Sequence, residues 1–479
     1  MQLIFEKHSR NDAGWLPELV GSEAGLLNSI PQEFRRKKEA DFPELSELDV
    51  VRHFTNLSKQ NFCVDANFYP LGSCTMKYNP KALDSMAAST SFSLLHPYQD
   101  EDDAQGALKV LYETQGFLSE ITGMDEFTLQ PAAGAHGELC GLLIVGAYHR
   151  SKKGKKTKVL IPDSAHGTNP ATAALCGYEV VQVKTNSKGL VDFQDLKSKL
   201  DNQVACLMMT NPNTLGLFEQ EIIEIAKAVH AVDGLVYYDG ANMNALLGIS
   251  RPGDMGFDIV HINLHKTFAV PHGSGGPGSG PVGVKKNLIP FLPRPRILKE
   301  NDQFVFEKSA PQSIGKLRSF YGNFGAILRS YGYIKLLGSE GLKSCSENAI
   351  LNANYIKARL KDIFDVPFGA FCMHEFVMSA RHQKEKGVKA LDIAKRLLDF
   401  GMYAPTIYFP LIVDEALMVE PTETESKETL DRFIEVLHEI NKEINTDPQK
   451  VLDAPHTMPV SRIDEVRAAR QPDLRYKKK

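Results

Sequence analysis

Lys266 stands in Asn263-Leu264-His265-Lys266-Thr267, at the end of the apolar run 259–263. An amine attacks an aldehyde only in its neutral form, so a lysine with that task needs a cleft where burial or a nearby cation lowers its pKa. On its own, a lysine after a strand is an ordinary surface residue. Asp239 ends the run Leu235-Val236-Tyr237-Tyr238-Asp239-Gly240. A carboxylate there can keep a heterocyclic nitrogen protonated and make its ring an electron sink. Seen alone, it serves equally well as a cap for the next segment. The loop Pro131-Ala132-Ala133-Gly134-Ala135-His136-Gly137-Glu138 opens an apolar stretch. Its small residues let backbone N–H groups close on a phosphate, and a helix N-terminus adds partial positive charge. The same small residues also suit a tightly packed helix entry.

His166 follows the apolar run 158–161, in Asp163-Ser164-Ala165-His166-Gly167-Thr168-Asn169. An imidazole there can stack on a flat ring or simply hydrogen-bond within its turn. Thr210-Asn211-Pro212-Asn213-Thr214 follows the run 204–209 and offers polar groups for a phenolic oxygen, or an ordinary Asn-Pro turn. Each signal is modest. Together they fall in one order, each at a strand end: phosphate loop, stacking histidine, polar turn, aspartate, lysine. That is the set pyridoxal 5'-phosphate requires. The expected cofactor contacts are Lys266, Asp239, His166, Gly134, Ala135, His136, Thr210, Asn213 and Asn242. Lys266, Asp239 and His265 are the expected catalytic residues, and no metal ligand is assigned.

Other chemistries fit less well. Pro271-His272-Gly273-Ser274-Gly275-Gly276-Pro277-Gly278 lacks the Gly-Lys-Ser/Thr ending of a nucleotide-binding P-loop. It is not a dinucleotide fingerprint either, because a strand-like Val282-Gly283-Val284 follows it instead of a helix. A flexible loop beside the lysine suits it better. The basic run at Lys152, Lys153, Lys155 and Lys156 reads as a solvated loop. Net charge is −4, so no general attraction to nucleic acid or anionic membrane is expected. The hydrophobic share of 43% and charged share of 24% are ordinary for a globular chain. The seven cysteines are scattered, odd in number and never in Cys-x-x-Cys. This points to a reducing compartment and away from structural zinc. No secretory signal pattern and no run of about 18 apolar residues is present, so a cytoplasmic location is expected.

The elements that would position these residues alternate. Short apolar runs at 158–161, 179–183, 204–209, 235–238 and 259–263 are separated by helical patterns, including 219–232. Helices are also expected at 104–121 and 138–150. Continuous apolar strands alternating with helices predict an α/β fold with a mostly parallel sheet covered on both faces. Long helices are expected at 313–337 and 343–360. A smaller α+β part would follow, with a strand at 376–380, a helix at 390–400, a strand at 417–419 and a last helix at 426–444. The implied organisation is an N-terminal arm (1–75), a large cofactor-binding domain (76–325) and a small C-terminal domain (326–479). The tail at 475–479 is expected to fray.

Four longer stretches carry a family resemblance: Tyr69-Pro-Leu-Gly-Ser-Cys-Thr-Met-Lys77-Tyr-Asn79, Ala165-His-Gly-Thr-Asn-Pro170, Asn263-Leu-His-Lys-Thr-Phe268, and Phe409-Pro-Leu-Ile-Val413 with Glu420-Pro-Thr-Glu-Thr-Glu-Ser426. From about residue 20 to 465 the chain resembles the P-protein of the glycine cleavage system, glycine dehydrogenase (decarboxylating). It is similar to the separate C-terminal half, subunit 2, of the two-subunit form. One departure is Ser274, where an all-glycine loop would be expected.

The resemblance implies fold type I of the pyridoxal phosphate enzymes, with Lys266 as the covalent anchor. It implies glycine as substrate, its carboxylate leaving as CO₂ and the aminomethyl group passing to the lipoyl arm of the H-protein. It also implies a subunit 1 partner in a heterotetramer of two of each. Residues 73–77 are then the expected contact for substrate or lipoyl arm. Alternatives are another fold-type-I lyase, of cysteine desulfurase or aldolase type, and a non-catalytic structural subunit. The second would be expected to lack the lysine or the aspartate, and both are here.

Overall fold

The structure is a computed structural model that describes residues 2–7, 28–38, 42–43, 45–273 and 275–475. Ser274 and the last four positions of the tail lie outside these residues, as does much of the expected N-terminal arm. The chain divides into two units, Met1–Phe62 with Met458–Lys479, and Cys63–Thr457. The first contains a helix at Glu47–Ser58, begun by Ser46, whose hydroxyl accepts the Asp49 N–H. Among its described residues none is a buried hydrophobic side chain. That helix falls within the expected N-terminal arm, for which no helix is predicted.

The second unit is built on a seven-stranded sheet: β1 (Glu126–Thr128), β2 (Lys158–Pro162), β3 (Glu179–Val183), β4 (Val204–Met209), β5 (Leu235–Gly240), β6 (Ile259–Ile262) and β7 (Val282–Val284). Their order is β1-β7-β6-β5-β4-β2-β3. Strands β2 to β6 run parallel, and β7 lies antiparallel between β6 and β1. Every residue of β4, β5 and β6 is buried. Successive side chains go to opposite faces: Leu207 and Met209 join one core cluster while Cys206 and Met208 join another. Burial on both faces is why these strands are mostly apolar, with Asp239 of β5 and His261 of β6 as buried exceptions.

The covering helices are α1 (Gln105–Thr122), α2 (Gly134–Ser151), α3 (Thr168–Leu175) and α4 (Ile222–Ala231). Helix α2 lies very close to the sheet. A Cβ at Gly141 would come within 2.2 Å of the Tyr237 ring, and one at Gly137 within 2.7 Å of the Gly280 carbonyl. The small residues of this segment therefore serve packing as well as backbone access.

The expected helix at 313–337 is overturned in its first part. Helix α5 (Phe324–Leu360) starts later and breaks at Gly338, where φ is 62° and ψ is −171°. Before it, Gly315, Phe320 and Gly322 have φ of 87°, 64° and 110°, which a right-handed helix forbids. At Gly322 a Cβ would sit 2.3 Å from the Leu129 carbonyl, so the close approach itself selects glycine.

Beyond β7 a hairpin of β8 (Arg296–Glu300) and β9 (Gln303–Glu307) precedes α5. After α5, strands β10 (Phe376–Ser379), β11 (Thr406–Ile407) and β12 (Ala416–Val419) form an antiparallel sheet, ordered β10-β12-β11. Helices α6 (Ala390–Asp399) and α7 (Lys427–Thr446) close a separate core with it through Ile393, Leu397, Phe433 and Leu437. Segment Leu71–Thr75 reaches this sheet: Leu71 bridges Val419, and the Gly72 N–H donates to the Met418 carbonyl. A Cβ at Gly72 would collide with Met418 at 2.2 Å.

Candidate active site

The carboxyl ends of the parallel strands surround a cavity of about 240 Å³. Gly134, Ala135, His166, Thr210, Asn213, Asp239, Asn242, His265 and Lys266 all line it. His136 does not. Its Nδ1 turns back to accept the Ala132 N–H at 3.2 Å, which folds the loop onto the start of α2.

Asp239 is brought to the cavity by β5 and is 3% exposed. Its Oδ2 accepts the Asn169 amide at 2.9 Å and its Oδ1 the Ala241 N–H at 3.1 Å. In the parallel register Asp239 pairs with His261, which sets the His261 Nε2 3.2 Å from the carboxylate, outside hydrogen-bonding geometry. Burial alone would raise this carboxyl. The His261 ring, the Asn169 amide, the Ala241 N–H and the Lys266 charge outweigh it and hold Asp239 below the usual range.

Lys266 follows β6 by one turn, and its Nζ donates to the Ser73 carbonyl at 2.7 Å. His265, beside it, accepts the Ser279 N–H on Nδ1 at 3.3 Å. Burial, then the His272 and Lys266 charges, lower His265 to about 4. It is a neutral ring near pH 7. His166 keeps Nδ1 against the Thr168 hydroxyl at 3.0 Å and leaves its ring open to the cavity. Desolvation by its surroundings, then the Lys266 charge, lowers it too.

Two expected contacts have their amides engaged elsewhere. Asn213 donates to the Gly189 carbonyl and accepts from the N–H groups of Leu215 and Leu217, so its side chain builds the turn. Asn242 donates to Thr75 Oγ1 at 2.6 Å and to both oxygens of Glu420, at 2.8 and 3.0 Å.

The residues fit pyridoxal phosphate. Helix α2 begins at the cavity with Gly134 and Ala135, and no side chain caps its N-terminus. First-turn N–H groups have no partner within a helix. A Cβ at Gly134 would lie 2.6 Å from the Asn263 amide, so only glycine leaves that edge open. The ionised Asp239 answers a ring nitrogen, His166 a ring face, and Lys266 an aldehyde.

Several lining residues were missed from the sequence: Ser73, Glu138, Thr168, Asn263, His374 and Glu375. Of these, Ser73 lay within a segment expected near the substrate. Glu138 accepts the hydroxyls of Thr168 and Thr172 at 2.7 and 2.9 Å. Glu375, just before β10, accepts the Ser73 N–H on Oε2 at 2.7 Å, while Glu420, just after β12, accepts the Thr75 N–H and hydroxyl at 3.0 and 2.8 Å. His374, Glu375 and Glu420 bring ligand-type atoms within 4.8 Å of one another.

The glycine cleavage system P-protein family model matches residues 19–299, and the glycine dehydrogenase C-terminal domain matches 345–458. The chain belongs to the glycine cleavage system P-protein family. It is 56% identical over 478 residues to a probable glycine dehydrogenase (decarboxylating) subunit 2 of Bacillus velezensis, covering 99% of this chain and 97% of that one. A protein of the same name from Caldanaerobacter subterraneus subsp. tengcongensis is also 56% identical over 478 residues, with 99% of each covered. Among solved structures, a glycine decarboxylase (P-protein) in inhibitor-bound form matches with a TM-score of 0.71 at 20% identity, covering 87% of this chain and 95% of that one. A cysteine desulfurase from Escherichia coli matches with a TM-score of 0.61 at 15% identity, over 79% and 96%. The fold is that of the fold-type-I pyridoxal phosphate enzymes, and the cofactor of this P-protein is pyridoxal phosphate.

Proposed function

We propose that this chain decarboxylates glycine on pyridoxal phosphate and passes the remaining aminomethyl group to the lipoyl arm of an H-protein, working with a subunit 1 in a heterotetramer of two of each. The observation that carries the reading is that Lys266 and Asp239 line one cavity at the uncapped start of α2, in a chain of the P-protein family. When bound, pyridoxal phosphate supplies an aldehyde that couples to an amine and a ring that accepts an electron pair.

Lys266 would anchor the aldehyde and, when its amine is free, would hold or move a proton at Nζ. Asp239 would keep the ring nitrogen protonated. His166 would serve a ring face, Thr210 the phenolic oxygen, and the backbone N–H groups of Gly134 and Ala135 the phosphate. His265, neutral and beside Lys266, is the second candidate for proton handling. The electrons balance: glycine loses CO₂ and leaves its bonding pair on carbon. That pair forms a C–S bond as the lipoyl S–S bond breaks, and the second sulfur departs as a thiolate that takes a proton. Glycine is oxidised and the disulfide reduced.

The large part, 76–325, carries the cofactor contacts, and Ser73 with His374 and Glu375 supplies the closing wall. A cytoplasmic location agrees with the reaction. No helix of the described residues is long and apolar enough to cross a membrane. The test is borohydride reduction of the loaded protein followed by peptide mass spectrometry. A pyridoxyl adduct on Lys266 is expected, and an adduct on any other lysine overturns the assignment.

A further inference from the structure

His374 precedes β10 and lines the cavity, yet it is only 2% exposed. Among the described residues, neither of its ring nitrogens has a hydrogen-bond partner. The Glu375 carboxyl lies beside it, its Oε1 3.8 Å from Nε2, too far for a hydrogen bond. A buried imidazole carries at least one N–H, and leaving such a donor unsatisfied is costly. Most other polar groups around the cavity are engaged. The Asn213 amide donates to Gly189, the Asn242 amide to Thr75 and Glu420, the Ser73 N–H to Glu375, and His265 accepts from Ser279. Among the described residues that line the cavity there is no arginine, and Lys266 is the one lysine.

A single chain of contacts ties His374 to the reacting end. Lys266 Nζ holds the Ser73 carbonyl, the N–H of Ser73 holds Glu375, and Glu375 adjoins His374. We propose that His374 is the receptor for the carboxylate of glycine, donating a neutral imidazole N–H to the group that leaves as CO₂. This rests on the glycine-decarboxylating reading above.

The chemistry favours such a receptor. A guanidinium would stabilise the carboxylate before the reaction and lose that stabilisation as charge moves out of it, which raises the barrier. A neutral donor selects the carboxylate and releases it more easily. Burial, then the Lys266 charge, pushes His374 down to about 3, so the ring stays neutral. Burial, then the proximity of Glu420, raises Glu375 well above its usual range, so it adds little repulsion against an incoming carboxylate.

The test uses the pyridoxal-phosphate-loaded two-subunit complex, titrated with glycine and, separately, with methylamine, which is glycine without its carboxylate. Binding is read from the change in visible absorbance. Two variants are compared with the parent: His374→Phe, which keeps the ring volume without donors, and His374→Gln, which restores a neutral donor. His374→Phe should weaken glycine roughly ten- to a hundredfold and leave methylamine within about twofold. His374→Gln should recover part of the loss. Equal weakening of both amines would mean a structural role and overturn the proposal, as would unchanged glycine affinity in His374→Phe. If the parent shows no spectral response to glycine while methylamine gives one, the functional reading itself fails.

Discussion

Lys266 Nζ donates a 2.7 Å hydrogen bond to the carbonyl of Ser73, a residue 193 positions earlier in the chain. The same peptide segment is gripped from the other side. Ser73 N–H donates to Glu375, and Thr75 donates to Glu420 through both its N–H and its hydroxyl. Ser73 and Thr75 have φ of 64° and 48°, a region costly for a non-glycine residue and especially for a β-branched one. Two buried carboxyl groups thus hold a strained segment against the lysine proposed as cofactor anchor.

Removing the lysine should separate its chemical role from this structural one. Lys266→Ala is expected to abolish borohydride-stable labelling by pyridoxal phosphate. It should change the unfolding free energy by only about 1 kcal/mol, the net value of one hydrogen bond. Denaturant unfolding of the unloaded protein and mass spectrometry of the reduced protein read the two effects. Retained labelling at the parent level would exclude Lys266 as the anchor.

Asp239→Asn should keep the cofactor but slow exchange of the glycine carboxyl with CO₂ by orders of magnitude, because an amide cannot hold the ring nitrogen protonated. The variant still offers Asn169 and Ala241 a partner in this pocket. Loss of cofactor binding would point to a folding role instead. Exchange of labelled bicarbonate into glycine is the measurement.

The clamp predicts a stability effect at Glu420. Its oxygens take the Thr75 N–H, the Thr75 hydroxyl and the Asn242 amide. Glu420→Ala leaves the Thr75 N–H and hydroxyl without acceptors, while the Asn242 amide keeps Thr75 Oγ1, and should cost about 1–3 kcal/mol per unsatisfied group. Glu420→Gln retains one acceptor oxygen and should cost less. Urea midpoints of the two variants check this, and equal midpoints would mean that the clamp contributes nothing.

Much of the site was readable in the sequence because each strand end is local. Asp239 and Lys266 sit beside apolar runs whose burial on both faces makes them conspicuous. The closing wall was only partly readable. The segment 73–77 is expected at the substrate, but His374, Glu375 and Glu420 look like ordinary polar residues until the small sheet and the Leu71–Val419 bridge bring them beside it. His136 was misleading for the opposite reason. It lies in the right loop, but its ring folds back onto the Ala132 N–H. The delayed start of α5 is not legible in the sequence because the left-handed turn at Gly322 is dictated by a neighbouring carbonyl, not by local propensity.

The buried histidines and carboxylates make stability depend on pH with opposite signs. Burial, with nearby charges, lowers His265 and His272 to about 4 and His374 to about 3. In the unfolded chain each titrates near 6.5, so between about pH 4 and 6.5 the unfolded state binds more protons. Stability should therefore fall as pH drops through that window. Glu375 behaves in reverse. Burial and Glu420 raise it, so the native state keeps a proton that the unfolded chain releases near pH 4.3. Its contribution is full below that value and is lost as pH rises through the native pKa. Glu375→Gln keeps an acceptor for the Ser73 N–H and removes the titration. It should leave the acid-side loss intact and flatten the decline on the alkaline side. Urea unfolding of parent and variant from pH 4 to 9 measures both limbs, and an unchanged alkaline limb would mean that Glu375 carries no extra proton in the native protein.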